Sequence, residues 1–127
     1  MERRSKFRAL IIEDDQTILK LVKTVLQREN FVVEGCSNGA EAIELLSVVA
    51  YDLLIVDMFL PRVGGDGVLD YLEATQPKYL RRVILTTASP RKIPCEFLER
   101  VCRLLAKPFD IAQLVLLARE CAQPDAA

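Results

Sequence analysis

The sequence predicts a single α/β domain in which helices cover both faces of a five-stranded, doubly wound parallel sheet. Short apolar runs alternate with segments whose apolar residues recur at the helical spacing of three and four. These runs are apolar at nearly every position, as expected for strands that are buried on both faces. The length of 127 residues suits five strand–helix units, whereas an eight-stranded α/β barrel needs about twice as many residues.

The first three units are marked by clear strand and helix patterns. FRALII is the first predicted strand, FVVEGC the second, and YDLLIVD, the most hydrophobic run, the third. Asp15 is a candidate cap for the first helix, and Ser37 or Asn38 is a candidate cap for the second. A proline–glycine turn after the third strand precedes the third helix. The apolar stripe of the first helix comprises Ile18, Leu21, Val22, Val25 and Leu26.

The last two units are less regular. RRVILTTA is the predicted fourth strand and CRLLA the fifth. The fourth helix is predicted to be short or irregular, because Pro90 and Pro94 leave room for about two turns that begin near Pro94. Asp110 is expected to cap the last helix. The inward-facing residues of that helix are predicted to be Ile111, Leu114, Val115 and Ala118.

Composition limits the function classes. With 17 basic and 18 acidic residues, the charge balance does not call for nucleic acid or an anionic membrane. No apolar run approaches the roughly 20 residues of a membrane span. The absence of histidine excludes a histidine general base, a serine–histidine or cysteine–histidine pair and a phosphohistidine in this chain. We expect a basic tail at residues 1–6, one domain at residues 7–122, and a tail or the start of a linker at residues 123–127.

The four cysteines show no metal-binding or redox spacing. Cys36, Cys95, Cys102 and Cys121 form no C-x-x-C pair, and no histidine is present to complete a zinc site. Each lies among apolar neighbours in the sequence. We therefore interpret them as small core residues in a reducing cytosol.

Polar residues follow four of the five strands. Glu13 and Asp14 come after the first strand, Asp57 ends the third, Thr87 ends the fourth and Lys107 follows the fifth. The second strand ends in GCSNG, which we interpret as inert. Each residue alone has an ordinary explanation, such as a helix cap or a surface charge. Because ligands of open parallel sheets bind at the carboxyl ends of the strands, the combination predicts a site there.

The chemistry of this site follows from its charges. Two carboxylates about 4 Å apart repel by roughly 4 kcal/mol at an effective dielectric constant of 20, so three of them must take up protons or hold a cation. Oxygen ligands without histidine or cysteine favour Mg²⁺, with Mn²⁺ or Ca²⁺ as alternatives. A threonine hydroxyl and a lysine ammonium suit the oxygens of a phosphoryl group. Asp57 is the candidate nucleophile for aspartyl-phosphate chemistry.

The motifs IIEDD, LLIVDMFLP, LTTA and LLAKPF, in this order and spacing, resemble the receiver domain of two-component response regulators over residues 7–122. The resemblance implies a flavodoxin-like sheet with strand order 2-1-3-4-5. It also implies that Asp57 is the phosphoryl acceptor. The Mg²⁺ ligands would be Glu13, Asp14, Asp57 and the backbone carbonyl of Phe59.

The resemblance assigns roles to two further residues and to partners. Thr87 would hydrogen-bond the phosphoryl group, and Lys107 would pair with Asp57, with a cis Lys107–Pro108 bond. The phosphoryl donor would be a histidine kinase, a histidine phosphotransfer protein or a small acyl phosphate. A downstream protein or output domain would receive the signal in the cytoplasm, without direct contact of this domain with nucleic acid or membrane. Such a domain catalyses only its own phosphorylation and dephosphorylation and is not otherwise an enzyme.

Among the departures from the family pattern, which include Glu13 for the commoner aspartate and Gly64 where an acid or serine is common, three bear on mechanism. Phe59 is apolar where polar residues are frequent, and we predict that it slows attack of water on the phosphoryl group. Leu104 replaces the usual tyrosine or phenylalanine, so the aromatic switch of the family is missing. The segment before the fifth strand reads ERV instead of small residues, so the route of signal output is expected to be altered.

Two other functions compete with this interpretation. A phosphatase of the haloacid dehalogenase type uses similar residues, but it needs a second acid two positions after its nucleophile, where this chain has Phe59. A receiver-fold adaptor with little or no phosphorylation is the alternative that Leu104 and the irregular fourth helix favour. Leu116 and Leu117 widen the apolar arc of the last helix, which indicates either extra burial within the fold or a homodimer or partner contact.

Overall fold

The computed structural model describes residues 6–123, so the tails at residues 1–5 and 124–127 lie outside the described residues. The strands are β1 (Phe7–Ile12), β2 (Phe31–Cys36), β3 (Leu53–Asp57), β4 (Val83–Thr87) and β5 (Arg103–Ala106). The helices are α1 (Gln16–Arg28), α2 (Gly39–Leu46), α3 (Gly65–Thr75), α4 (Cys95–Arg100) and α5 (Ile111–Cys121). All neighbouring strands are parallel, and the order β2-β1-β3-β4-β5 confirms the predicted sheet.

The sheet separates two apolar cores. In β1, Ala9 and Ile11 face the core formed with α1 and α5, whereas Leu10 and Ile12 face the core formed with α2 and α3. Because successive side chains of a strand point to opposite faces, a strand between two cores must be apolar at every position. This explains the continuous apolar runs in the sequence. None of the helices within residues 6–123 has the length and hydropathy needed to cross a bilayer.

The helix starts confirm the predicted caps. Asp15 accepts hydrogen bonds from the first turn of α1, Asn38 accepts one from α2, and Asp110 accepts one from α5. These bonds satisfy amides that have no partner within the helix. The fourth helix has only six residues and begins directly after Pro94, as predicted, with a separate 3₁₀ turn at Pro90–Lys92 before it.

Three local predictions were wrong. Leu21 of α1 is 46% exposed and Ile111 of α5 is 38% exposed, although both were expected to face the core. Leu117 is buried instead, which agrees with extra burial within the fold, while Leu116 is 65% exposed. Because α5 is apolar on most of its circumference, periodicity alone does not determine its buried face. The fourth strand starts only at Val83, because the preceding residues form a 3₁₀ segment, Pro77–Arg82.

The interpretation of all four cysteines as core thiols was also wrong. Cys36 is buried and free, but Cys95 is exposed. Cys102 and Cys121 form a disulfide across 19 positions of sequence. β5 runs toward the site and α5 runs back along the sheet, so the residue before β5 meets the last residue of α5. This proximity follows from the strand–helix topology and not from cysteine spacing.

Candidate functional site

Three carboxylates meet at the carboxyl ends of two neighbouring strands. Glu13 and Asp14 follow β1, and Asp57 is the last residue of β3. One oxygen from each carboxylate lies within 4.8 Å of the others. Glu13 and Asp57 are only 3% and 5% exposed, whereas Asp14 is exposed to solvent. The cluster is therefore buried on its inner side and open on its outer side.

Lys107 bridges the two buried carboxylates. Its Nζ lies 2.8 Å from Glu13 Oε1 and 3.1 Å from Asp57 Oδ2. Burial acts to lower the pKa of Lys107, but the carboxylates of Glu13 and Asp57 outweigh it and raise that pKa above its ordinary value. Burial raises the pKa of Glu13, which the bond to Lys107 offsets only in part. The ammonium is thus held in its charged form between the acids.

Backbone amides orient the buried carboxylates. The amide of Asp15 donates to Glu13 Oε2 at 3.1 Å, and the amide of Phe59 donates to Asp57 Oδ1 at 3.2 Å. The amide of Glu13 itself donates to the carbonyl of Cys36 at 3.0 Å, which ties the acidic loop to the end of β2. Each carboxylate therefore has one oxygen that faces Lys107 and one that is fixed by its own loop.

Thr87 lies at the end of β4, between the strands that carry Asp57 and Lys107. Its side chain is fully buried, and its hydroxyl oxygen accepts a hydrogen bond from the amide of Ser89 at 3.0 Å. Its carbonyl accepts a hydrogen bond from the amide of Lys107 at 2.8 Å. The Lys107–Pro108 bond is cis, as the resemblance predicted. The winding of the sheet thus brings the predicted residues to one edge.

The structure also places two of the departures from the expected pattern, one beside the cluster and one against the core. The side chain of Phe59 is 54% exposed, so a large apolar group stands at the rim beside Asp57. Leu104 is partly buried and packs against the core formed with α2 and α3. No aromatic ring is present at that position of β5.

The sequence interpretation missed the support that two glycines give the site. A side chain on Gly39 would place its Cβ 2.2 Å from the carbonyl oxygen of Val63, to which the amide of Gly39 donates at 3.0 Å. A Cβ on Gly65 would lie 2.8 Å from the carbonyl oxygen of Asp57. The segment after β2 is therefore not inert, since it anchors the loop that follows Asp57. No sequence signal distinguishes such close approach from an ordinary turn glycine.

The charges of the cluster suit a divalent cation. Three carboxylates and one ammonium leave two negative charges without compensation within the site. All the ligand atoms are oxygens. Hard cations such as Mg²⁺ prefer oxygen ligands, whereas softer transition metals prefer nitrogen or sulfur. The exposed Asp14 opens the cluster to solvent, so an ion could enter from that side. The arrangement can therefore hold a divalent cation next to a buried aspartate.

Comparison with known proteins decides the family. A family model described as the response regulator receiver domain matches residues 9–119. The chain belongs to this family. The receiver domain is 34% identical over 120 residues to the transcriptional regulatory protein CutR of Streptomyces coelicolor, a match that covers 88% of this chain and 52% of CutR. It is 32% identical over 117 residues to CpxR of Escherichia coli K12, covering 87% of this chain and 47% of CpxR.

The receiver domain spans about half the length of these curated relatives. Among solved structures, a response regulator receiver domain from Methylobacillus flagellatus matches with a TM-score of 0.82 and 26% identity, covering 92% of this chain and 99% of that one. The receiver domain of a sensor histidine kinase from Pseudomonas aeruginosa, solved with a magnesium ion in its active site cleft, matches with a TM-score of 0.82, 22% identity and 92% and 98% coverage. This chain is therefore a signalling domain of the two-component type.

Proposed function

We propose that this receiver domain accepts a phosphoryl group on Asp57 from a phosphohistidine donor and signals through contacts with another protein or an output domain. The observation that carries the proposal is the position of Asp57. Asp57 is 5% exposed, and its carboxylate lies 3.1 Å from Lys107 and belongs to a cluster of three acids. A merely structural aspartate at a strand end would not need two further carboxylates beside it.

Mg²⁺ is the proposed cofactor, with Mn²⁺ as a substitute of similar chemistry. Its ligands would be the carboxylates of Glu13, Asp14 and Asp57 and the backbone carbonyl of Phe59. The clustering of the three carboxylate oxygens within 4.8 Å supports this set. When bound, the cation neutralises charge that develops on the transferring phosphoryl oxygens. The magnesium ion in the related Pseudomonas structure supports the choice of metal.

The transfer step uses the carboxylate of Asp57 as nucleophile. One of its oxygens attacks phosphorus, the phosphorus–nitrogen bond of the donor breaks, and the donor imidazole leaves with the electron pair and takes up a proton. The hydrogen bond from the amide of Phe59 holds the carboxylate in one orientation during this attack. Because this chain contains no histidine, the phosphohistidine must belong to another protein.

Lys107 and Thr87 are proposed to bind the phosphoryl group after transfer. The ammonium of Lys107 already contacts Asp57 and can follow the negative charge onto the phosphoryl oxygens. The hydroxyl oxygen of Thr87 accepts a bond from Ser89, so its hydrogen can donate to a phosphoryl oxygen. Both residues would thereby connect the phosphoryl state to β4 and β5.

The partners are proposed at the level of class. The donor would be a histidine kinase or a histidine phosphotransfer protein, and a small acyl phosphate would be an artificial substitute. The names of CutR and CpxR as transcriptional regulatory proteins support an output module that controls transcription, carried by the same chain or by a partner. We place the boundaries of the autonomous unit at residues 7–122, in agreement with the capped helix α5 as its last element.

The test is phosphorylation by acetyl phosphate in the presence of Mg²⁺. The wild type should gain one phosphoryl adduct that is stable in acid and labile in alkali, detected by intact mass. Asp57→Asn should gain none, because an amide is not a nucleophile toward phosphorus. Asp66→Asn, in the exposed first turn of α3, is the matched control and should be phosphorylated like the wild type.

One observation favours a second function, that of an adaptor with little phosphorylation. α4 has only six residues and is tied to α3 by Arg100, whose guanidinium lies 2.5 Å from Glu73 and 3.7 Å from Asp70. In addition, Leu104 stands where the family usually has a tyrosine or phenylalanine, so the aromatic switch that couples phosphorylation to output is missing. An adaptor predicts no adduct on the wild type, with Mg²⁺ present and acetyl phosphate in excess.

A further inference from the structure

The disulfide Cys102–Cys121 joins the start of β5 to the end of α5. Cys102 precedes β5 directly, and its amide donates to the carbonyl of Val83 at 3.0 Å. Cys121 is the last residue of α5 and is fully buried. Cys102 is partly exposed and packs at the border of the same core, so solvent reaches the bond from the side of Cys102. It therefore fixes the last turn of α5 covalently to the sheet.

Within residues 6–123, the other polar attachments of this turn are two surface ion pairs and one backbone hydrogen bond. They comprise the ion pairs Arg103–Glu120 and Arg119–Glu29 and the hydrogen bond from the amide of Gln123 to the carbonyl of Asp52. The ion pairs lie at the surface, where water and salt screen them and where such pairs contribute little. Besides the packing of the buried residues Leu117, Ala118 and Cys121, the disulfide is thus the strongest link between the end of α5 and the sheet.

We propose that Cys102 and Cys121 form a reversible redox switch that exchanges with a small thiol and its disulfide, such as reduced and oxidised glutathione. In the oxidised state the last turn of α5 is fastened to β5. In the reduced state the turn is held only by packing and by surface contacts, and it opens more often. The switch acts on the receiver domain independently of phosphorylation and goes beyond the function proposed for Asp57.

The exchange reaction proceeds in two balanced steps. The thiolate of a small thiol attacks the sulfur of Cys102, the bond to Cys121 breaks, and Cys121 leaves with the electron pair and takes up a proton. A second small thiol attacks the mixed disulfide and releases Cys102 as a thiol together with the oxidised small disulfide. Two electrons pass from the small thiols to the protein, and oxidation by the small disulfide reverses both steps.

The two other cysteines differ in their access to thiol exchange. Burial raises the pKa of Cys36 to about 12, so this thiol is protonated and shielded from exchange. Cys95 is exposed at the start of α4, and the length of α4 separates it from Cys102 in the sequence. A double variant, Cys36→Ala with Cys95→Ser, leaves only the proposed pair and removes competing thiols from the measurement.

The first experiment places this double variant in glutathione buffers that run from fully oxidised to fully reduced. After acid quenching and alkylation, intact mass counts the free thiols in each buffer. A switch requires a transition from no free thiols to two within the series, with the same result from either starting state. A pair that stays oxidised in every buffer is a permanent structural bond, and a pair that stays reduced is no bond. Either result overturns the proposal.

The second experiment measures the effect on α5. Reduction should lower the Tm by ~10 °C, because it releases a closed loop of about 20 residues. Hydrogen exchange of the amides at Ala118 and Ala122, which takes place by local opening of the end of α5, should become roughly tenfold faster on reduction. Cys102→Ala should show the fast exchange in both buffers, and it keeps the buried Cys121 in place. Equal exchange in the oxidised and reduced protein would overturn the proposal, while phosphorylation of Asp57 tests the separate function.

Discussion

Replacement of Lys107 by methionine tests the charge balance of the site most directly. Lys107 lies 2.8 Å from Glu13 and 3.1 Å from Asp57, and its side chain is only 15% exposed. Methionine retains most of the apolar stem and removes the charge. The two buried carboxylates then face each other without an ammonium between them.

The magnitude follows from these distances. Each contact at about 3 Å has a Coulomb energy of roughly 5 kcal/mol at an effective dielectric constant of 20, most of which desolvation of the ammonium offsets. Breaking a buried pair costs about 3–5 kcal/mol. Because the site opens to solvent at Asp14, we expect a value at the lower end, about 3 kcal/mol. This loss in the free energy of unfolding should appear in full only without divalent cations, because a bound cation would replace the missing positive charge.

The assay is urea unfolding at pH 7, with and without Mg²⁺. Lys23→Met, on the exposed face of α1, is the matched control and should change the free energy of unfolding by less than about 0.5 kcal/mol. Mg²⁺ should stabilise Lys107→Met more than the wild type, since the cation supplies the missing positive charge. Equal losses in both lysine variants would refute the charge argument. Equal stabilisation of Lys107→Met and the wild type by Mg²⁺ would refute the compensation of Lys107 by the cation, and no stabilisation of either protein would refute the proposed metal site.

Three further predictions concern the rim, a glycine and the free thiols. Phe59→Asn should shorten the lifetime of the phosphorylated protein about three- to tenfold, measured by loss of the adduct mass, because water gains access to the phosphoryl group. Gly39→Ala should lower the free energy of unfolding by about 2 kcal/mol in urea titrations, since its Cβ would lie 2.2 Å from the carbonyl oxygen of Val63. Iodoacetamide at pH 8 should label Cys95 and leave Cys36 unlabelled in the native protein, as peptide masses will report, because Cys36 is buried and its pKa is about 12.

Each of these predictions has a control or an outcome that contradicts it. Phe59→Leu keeps an apolar rim and should dephosphorylate like the wild type; equal lifetimes of the asparagine and wild-type proteins would reject the shielding role. A Cβ on Gly64 would lie closest to the side-chain oxygen of Asp66, at 2.9 Å, and no nearer than 3.5 Å to any backbone atom; the Asp66 side chain can rotate away, so Gly64→Ala should be tolerated. Labelling of Cys36 as fast as Cys95 would show that the end of β2 opens in the native state.

The sequence by itself determined the fold class and, through the family motifs, the strand order, and it predicted which polar side chains lie at one edge of the sheet. These features depend on local patterns. Strands that are apolar at every position must be covered on both faces, and the carboxyl ends of parallel strands lie at the same edge of the sheet. The caps Asp15, Asn38 and Asp110 were likewise readable, because a cap acts within its own first turn.

Only the tertiary structure decided which face of α5 is buried, that Gly39 supports the loop after Asp57, and that Cys102 joins Cys121. It also determined that Lys107 contacts both Glu13 and Asp57. The physical reason is common to all four. Each depends on a distance between elements far apart in the chain, and packing of the two layers sets that distance while residue type and spacing leave it open.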